Sequence, residues 1–475
     1  MKIKINEMPL SLSWIAAVTG GALYLNDLQE MPTVSYICTD SREADAKTLF
    51  CAIPGERVDG FDYIPAAAAL GCRAVLSEKK PDGAVSSVVV EDTVVAMGKL
   101  AESYQAAYLP ELFTVGVTGS VGKTTTKECI AAVLGVSENL FKKEGNHNST
   151  VGMPLSVMEI THRHTAAVLE MGMSSFGEIA AMSKTVHPAV ACITNIGTSH
   201  MEHLGSREGI AKAKLEILQG MKEGSTLLIN GDEPLLSCAF DLCRAGRITC
   251  LRVSLCDPTA DYYAFDIRHE NGGMQFELMM PEQRRASLEI PAVGIHAVWA
   301  AAFAAAVGDL RGMRPPQILA GLRAYRPASM RQTVSMHDGI TFIEDCYNAA
   351  PESMAAALSV LQLTAKGRMI AVLGDMKELG EESVVLHRQV GERVAALAEH
   401  GEIYLFAVGE LGAEIAGEAA KHLPASHVYC FAEESPYLET VRALKAFLQP
   451  GDTVLFKASR AMTLEVISQA LTVSE

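Results

Sequence analysis

Residues 116–128 read GVTGSVGKTTTKE, and the reading of this stretch decides the fold. A phosphate-binding loop of the common form, G-x-x-x-x-G-K-[ST], would carry a glycine five positions before Gly122. Val117 stands there instead, and the extra glycine comes at Gly119. A glycine-rich turn with a chance lysine would look similar, so the flanks must arbitrate. Upstream, Phe113–Val117 is a short apolar run that predicts a buried strand; downstream, Lys123–Leu134 predicts a helix. A strand that opens through glycines into a helix aims backbone N–H groups and the helix dipole at an anion. There Gly119 and Gly122 let the backbone curl close to phosphate. Lys123 reaches the β- and γ-phosphates, and the Thr124 hydroxyl faces Mg²⁺. Val117 fits as the last buried residue of the strand.

Such a site needs a metal-binding carboxylate beyond the end of a neighbouring strand, where ligands of open α/β sheets gather. AAVLEMG delivers Glu170 directly after an apolar run, and ITNIGTSH delivers Asn195 and His200. Taken singly, Glu170 reads equally well as a strand-end surface acid and His200 as a capping histidine. Lys214 is a different kind of signal. In GIAKAKLEIL a 100° step places Ile210, Lys214, Ile217 and Leu218 on one stripe, with Lys212 and Glu216 pointing away. A lysine on a buried face either finds a partner, loses its charge, or snorkels to the surface.

The rest of the chain is consistent with this setting. At 475 residues it exceeds one ordinary core, and apolar strand-like runs alternate with helix-length segments, an α/β pattern. Three blocks are expected, residues 1–107, 108–330 and 331–475, the last boundary falling in YRPASMRQTV. The formal net charge of −16 argues against a nucleic-acid binder, which would show a basic stripe. Eleven cysteines lie singly, without a C-x-x-C pair, which suits a reducing cytoplasm. The longest apolar run, Ala297–Val307, is too short to span a bilayer. Glu7, Ser11 and Ser13 break any signal-peptide pattern after Lys2 and Lys4.

The loop variant TGSVGKTTTK resembles that of the ATP-dependent Mur ligases of peptidoglycan synthesis. So do GNHNSTVGMP, LEMGMSSFGEI, ITNIGTSHMEHLGSREGIAKAKLEI, EDCYNAAPESM and LGDMKELG, and DSREADAKTLFCAIPGERVDGFD carries the likeness into the first block. The resemblance implies a small N-terminal α/β domain for the UDP-linked substrate. It also implies a central P-loop mononucleotide-binding domain, and a C-terminal Rossmann-like domain that binds the incoming amine and closes on ATP. It implies a monomeric, cytoplasmic amide ligase, without nucleic-acid or membrane partners, that joins D-alanyl-D-alanine to a UDP-N-acetylmuramoyl tripeptide through an acyl phosphate. By the family pattern Lys123, Lys214 and His200 are catalytic, with Lys214 carbamylated. Thr124, Glu170 and His200 would hold two Mg²⁺ ions. ATP would meet Thr118, Gly119, Ser120, Val121, Gly122, Lys123, Thr124, Thr125, Asn195, His296, Arg331, Asp345 and Tyr347. The uridine end would lie near Ser41, Arg42 and Asp59.

Three departures stand out. Ala297 and Ala300 in GIHAVWA, and Ala350 in YNAAP, occupy positions where the family usually has asparagine, and KASRAM replaces K-G-S-R-G-M. These imply weaker recognition of adenine with the phosphate machinery intact. Two other readings stay open: a related ligase with another acceptor or amine, and a nucleotide-binding paralogue that has lost turnover. A GTPase lacks its N-K-x-D segment here.

Overall fold

The computed structural model describes the chain except residues 27–30, 56–57, 83–84, 144–146, 433–435 and 473–475. Gly145 and Asn146 of GNHNSTVGMP, and Glu56 and Arg57 of the first-block motif, therefore lie outside the described residues.

Three large sheets follow one another along the chain. The first has six strands, with Tyr36–Cys38, Thr48–Cys51, Ala74–Ser77 and Ser86–Val89 parallel at its centre and Lys2–Lys4 and Ala22–Tyr24 antiparallel at its edges. The second has nine. Its parallel part, ordered Leu140–Lys142, Ala166–Glu170, Phe113–Thr118, Val190–Ile193, Thr226–Asn230 and Thr249–Ser254, puts the loop strand between the strands ending in Glu170 and Ile193. Those strands are covered on both faces and so read as unbroken apolar runs. The sheet continues through Tyr262–Glu270, which pairs antiparallel with Gly273–Met280, and on to Arg284–Ile290. Here buried and open positions alternate, as expected for a sheet with one wet face. The third sheet is ordered Thr333–His337, Ile340–Glu344, Thr453–Lys457, Met369–Gly374, Ile403–Val408 and Val428–Phe431, parallel after its first hairpin.

The helix Lys123–Leu134 is gripped by two others. Ile295–Leu310 is alanine-rich and buried on most sides, and small side chains let it lie close. Pro315–Arg323 approaches through Gly321, where a Cβ would come within 2.4 Å of Val133 Cα. Little slack is left at the loop.

The first two sheets share one core. The helix Thr93–Tyr108, capped by the Asp92 carboxylate on Val95 N at 2.9 Å, packs on helices Gly152–Met158 and Glu178–Val186 of the central unit. Its buried Met97, Leu100 and Tyr104 join Ile3, Leu49 and Leu76 on one side to Leu169, Ile193 and Ile229 on the other. Each such aliphatic side chain contributes about 1.5–3 kcal/mol on burial, and the Tyr104 hydroxyl donates to Ile160 O at 3.0 Å. The third sheet has its own apolar clusters on its two faces.

Candidate active site

The loop is built as its flanks predict, with the strand running one residue further, to Thr118. Val117 is fully buried. The Thr118 hydroxyl donates to Met171 O at 2.9 Å, so that side chain serves the sheet and not the loop mouth. Gly122 has φ +79° and Gly119 φ +154°, and a Cβ on Gly119 would sit 1.9 Å from the Thr194 hydroxyl oxygen. Only glycine fits there. Asn195 Oδ1 accepts from Ser120 N at 2.9 Å and Val121 N at 3.0 Å. Thr194 donates to Val121 O at 2.8 Å, and Gly197 N donates to the Ser120 hydroxyl at 2.9 Å. Asn195, expected at the nucleotide, is thus a brace for the loop. The first amides of the helix, through Lys123, Thr124 and the half-buried Thr125, have no intrahelical partner and face the mouth.

Lys123 folds back over the loop, its ammonium donating to Gly119 O at 2.7 Å and Ser120 O at 3.1 Å. Burial lowers its pKa; the Glu170 carboxylate opposes this, and the Arg331 guanidinium is near enough to add to it. The Thr124 hydroxyl donates to Glu170 Oε2 at 2.8 Å, and Asn148 Nδ2 donates to Oε1 at 2.9 Å. A hydroxyl and a carboxylate meeting so closely form the hard oxygen pair that suits Mg²⁺, which takes few protein groups and completes its shell with water and phosphate. Asn148 was not singled out from sequence, although it lies in GNHNSTVGMP.

His200 is not joined to that pair. It adopts φ +65°, and its Nδ1 lies 3.0 Å from Glu378 Oε2 of the third sheet's LGDMKELG loop. Beside it, the Thr198 hydroxyl lies 3.2 Å from Glu352 Oε1. Among the described residues no group of three or more His, Cys, Asp or Glu side chains is placed to hold a metal. Lys214 is 2% exposed on the helix Arg207–Leu215, with Ile210 and Ile217 also buried and Lys212 exposed. Burial pushes its pKa well below the lysine range, and the nearby Lys123 pushes the same way.

From the other side come the linker and the third sheet. The Arg331 guanidinium lies 4.2 Å from the Tyr347 ring centroid. His296 Nε2 donates to Gln332 Oε1 at 2.8 Å, which leaves Nδ1 a covered acceptor without a partner among the described residues. Burial lowers this histidine's pKa. Asp345 is paired with the buried Lys457, at 2.7 Å from Oδ2. Gln332 and Lys457 escaped sequence reading; a lysine closing the apolar run TVLFK was the available signal. Ala297, Ala300 and Ala350 are all buried, the first two inside the core of the central unit.

The expected uridine-side residues gather at one end of the first sheet. Ser41–Glu43 and Gly60–Tyr63 form short turns that both pack on the helix Ile64–Ala69. Ser41 is buried; the Arg42 guanidinium is held by Asp40, at 2.9 and 2.6 Å. Asp59 caps the second turn on Phe61 N at 2.9 Å.

Family models match the chain in three stretches: "Mur ligase family, catalytic domain" over residues 33–106, "Mur ligase middle domain" over 117–308 and "Mur ligase, glutamate ligase domain" over 330–460. The UDP-N-acetylmuramoyl-tripeptide–D-alanyl-D-alanine ligase of Bacillus subtilis (strain 168) is 38% identical over 465 residues, 96% of this chain and 97% of that protein. The ligase of the same name from Escherichia coli (strain K12) is 31% identical over 97% of this chain and 98% of its own length. A crystal structure of MurF from Acinetobacter baumannii superposes with a TM-score of 0.86 at 29% identity, covering 98% and 99% of the two chains. MurF of Thermotoga maritima in complex with ADP gives 0.80 at 29% identity, over 92% and 96%. By sequence along nearly its whole length, and by fold, the chain belongs to the Mur ligase family.

Proposed function

We propose that this chain is an ATP-dependent amide ligase that joins D-alanyl-D-alanine to the terminal carboxylate of UDP-N-acetylmuramoyl tripeptide. The carrying observation is the loop itself: Lys123 lies near Glu170, which holds the Thr124 hydroxyl at 2.8 Å, and Lys214 and Arg331 lie near Lys123. Two anions, a carboxylate and a γ-phosphate, must be brought together there, and cations fixed in a partly dry site offset their repulsion. The relatives' names supply the substrates.

The peptide carboxylate oxygen attacks the γ-phosphorus and the bond to the bridging oxygen of ADP breaks. The acyl phosphate forms, with Lys123 against the transferring oxygens and Arg331 closing from the linker. The ammonium of D-alanyl-D-alanine gives up a proton, its nitrogen attacks the acyl carbon, and the tetrahedral adduct loses a second proton from nitrogen to water. The C–O bond to phosphate then breaks with its electron pair, leaving amide, ADP and phosphate. Thr124 and Glu170 would hold Mg²⁺, which would neutralise phosphate charge. His200, oriented through Nδ1 by Glu378, has its other nitrogen for a second ion. Lys214, whose ammonium form burial and Lys123 disfavour, is suited to add CO₂ through its free amine and release a proton, and the resulting carbamate anion would face Lys123. Ser41, Arg42 and Asp59 mark the uridine end, and the monomer works in the cytoplasm. Among the described residues no helix is long and apolar enough to cross a membrane.

The test is mass spectrometry of products after incubation with ATP, Mg²⁺, D-alanyl-D-alanine and UDP-muramoyl tripeptides ending in lysine or in meso-diaminopimelate. The expected product carries the added dipeptide, with phosphate released only when both substrates are present. Product formation with a different amine alone, or none with any, would refute the reading.

A further inference from the structure

Lys457 closes a central strand of the third sheet at its carboxyl end, 1% exposed. Its ammonium has three protons and three acceptors: Asp345 Oδ2 at 2.7 Å, Asn348 O at 3.0 Å and Asp345 O at 3.3 Å. All three belong to the segment that leaves the neighbouring strand Ile340–Glu344. That segment carries Tyr347, whose N–H donates to Met330 O at 3.2 Å and whose ring the Arg331 guanidinium covers. The Arg331 guanidinium is also near enough to Lys123 to help lower its pKa.

We infer that Lys457 is a positioning residue of the nucleotide site, which pins the segment 345–348 so that Tyr347 holds Arg331 toward the phosphate loop. This rests on the reading of Arg331 as a phosphate-side group. A buried ion pair is a weak source of stability compared with apolar side chains of the same volume. An ammonium that satisfies two carbonyls and a carboxylate of one segment instead specifies that segment's path. Asp345 and Lys457 are also close enough to His296 to act on its imidazole. The pinned segment therefore reaches the place where linker, central unit and third sheet meet.

The test is calorimetric binding of a non-hydrolysable ATP analogue with Mg²⁺ to the full chain, comparing Lys457→Met, Arg331→Ala and the double variant. Each single change is expected to weaken binding about tenfold. The double variant should be within about twofold of Arg331→Ala alone, because the two act in series. Affinity for the UDP-linked substrate should not move, whereas a general loss of structure would lower both. Independent, multiplying losses, or wild-type nucleotide affinity in Lys457→Met, would overturn the inference while leaving Arg331 in place. Wild-type affinity in Arg331→Ala overturns the role of Arg331 itself, and this inference with it. Should Lys457→Met fail to fold, Tyr347→Leu interrupts the same path and faces the same two outcomes.

Discussion

Ser120 is tied to Asn195 by a forked bond, its backbone N–H lying 2.9 Å from Oδ1 and 3.2 Å from the carbonyl oxygen. With Val121 N on the same Oδ1, one side chain sets the curvature of the loop. Asn195→Ala takes the partner from Val121 N and leaves Ser120 N only the longer bond to the backbone carbonyl of residue 195, each lost bond being worth about 0.5–1.5 kcal/mol. The Michaelis constant for ATP should rise about tenfold with a smaller change in kcat. Asn195→Asp keeps the acceptor and should recover most of the loss. If aspartate is as poor as alanine, the amide nitrogen touches the ligand and the brace is not its main task.

Lys123→Ala should fold normally, since among the described residues the ammonium bonds only two loop carbonyls. Phosphate release should fall about 10²–10³-fold, the range for removing one group aimed at developing charge. Thermal melting alongside single-turnover kinetics checks both halves, and unimpaired turnover would remove Lys123 from the chemistry.

Lys214→Met removes a cation that burial and Lys123 disfavour. It should raise stability at neutral pH and reduce turnover by at least about a hundredfold. The sign with pH follows from the lowered pKa. Between the folded and unfolded values the unfolded chain binds the extra proton, so wild-type stability rises with pH up to about 10.4. The gap between variant and wild type should therefore narrow as urea melts move from pH 7 to about pH 9.5, with CO₂ excluded to keep the amine free. A gap independent of pH would mean that the two forms differ only in packing. Short carboxylic acids should partly restore turnover to Lys214→Ala.

Ala350 is the N-cap of the helix Pro351–Thr364, in extended geometry at φ −142° and ψ 159°. Ser353 Oγ already accepts from Ala350 N at 2.9 Å, while the reciprocal bond has no side chain to make it. Ala350→Asn should stabilise the third unit by about 0.5–2 kcal/mol. Chemical denaturation followed by helix signal measures this, and nucleotide affinity measured on the same variant shows whether the asparagine also reads the base. No gain in stability would mean that the amide is turned away from the helix.

Local chemistry was legible. The strand, the glycines and the helix around Lys123 follow from periodicity and turn preference, and the 100° stripe places Lys214 on the apolar side of its helix. The three strands between Tyr262 and Ile290 were not read, although their alternation of covered and open positions is a period-two signal. Partners far apart in sequence were invisible for a different reason. Glu378 beside His200, Glu352 beside Thr198 and Lys457 beside Asp345 arise from how sheets dock and strands are ordered. Nothing in the local pattern of either member encodes the pairing. The alanines at 297 and 300 invited a reading in terms of base contact, whereas their methyls are packed inside the core.

The helix Thr93–Tyr108, shared between the first two sheets, sets how the molecule comes apart. Because Met97, Leu100 and Tyr104 belong to both, neither sheet can melt without exposing the other. Calorimetry of the three-sheet chain should record two heat-absorption peaks, one for residues up to about 325 and one for the remainder. A nucleotide bound between these units should merge the peaks by raising the lower one.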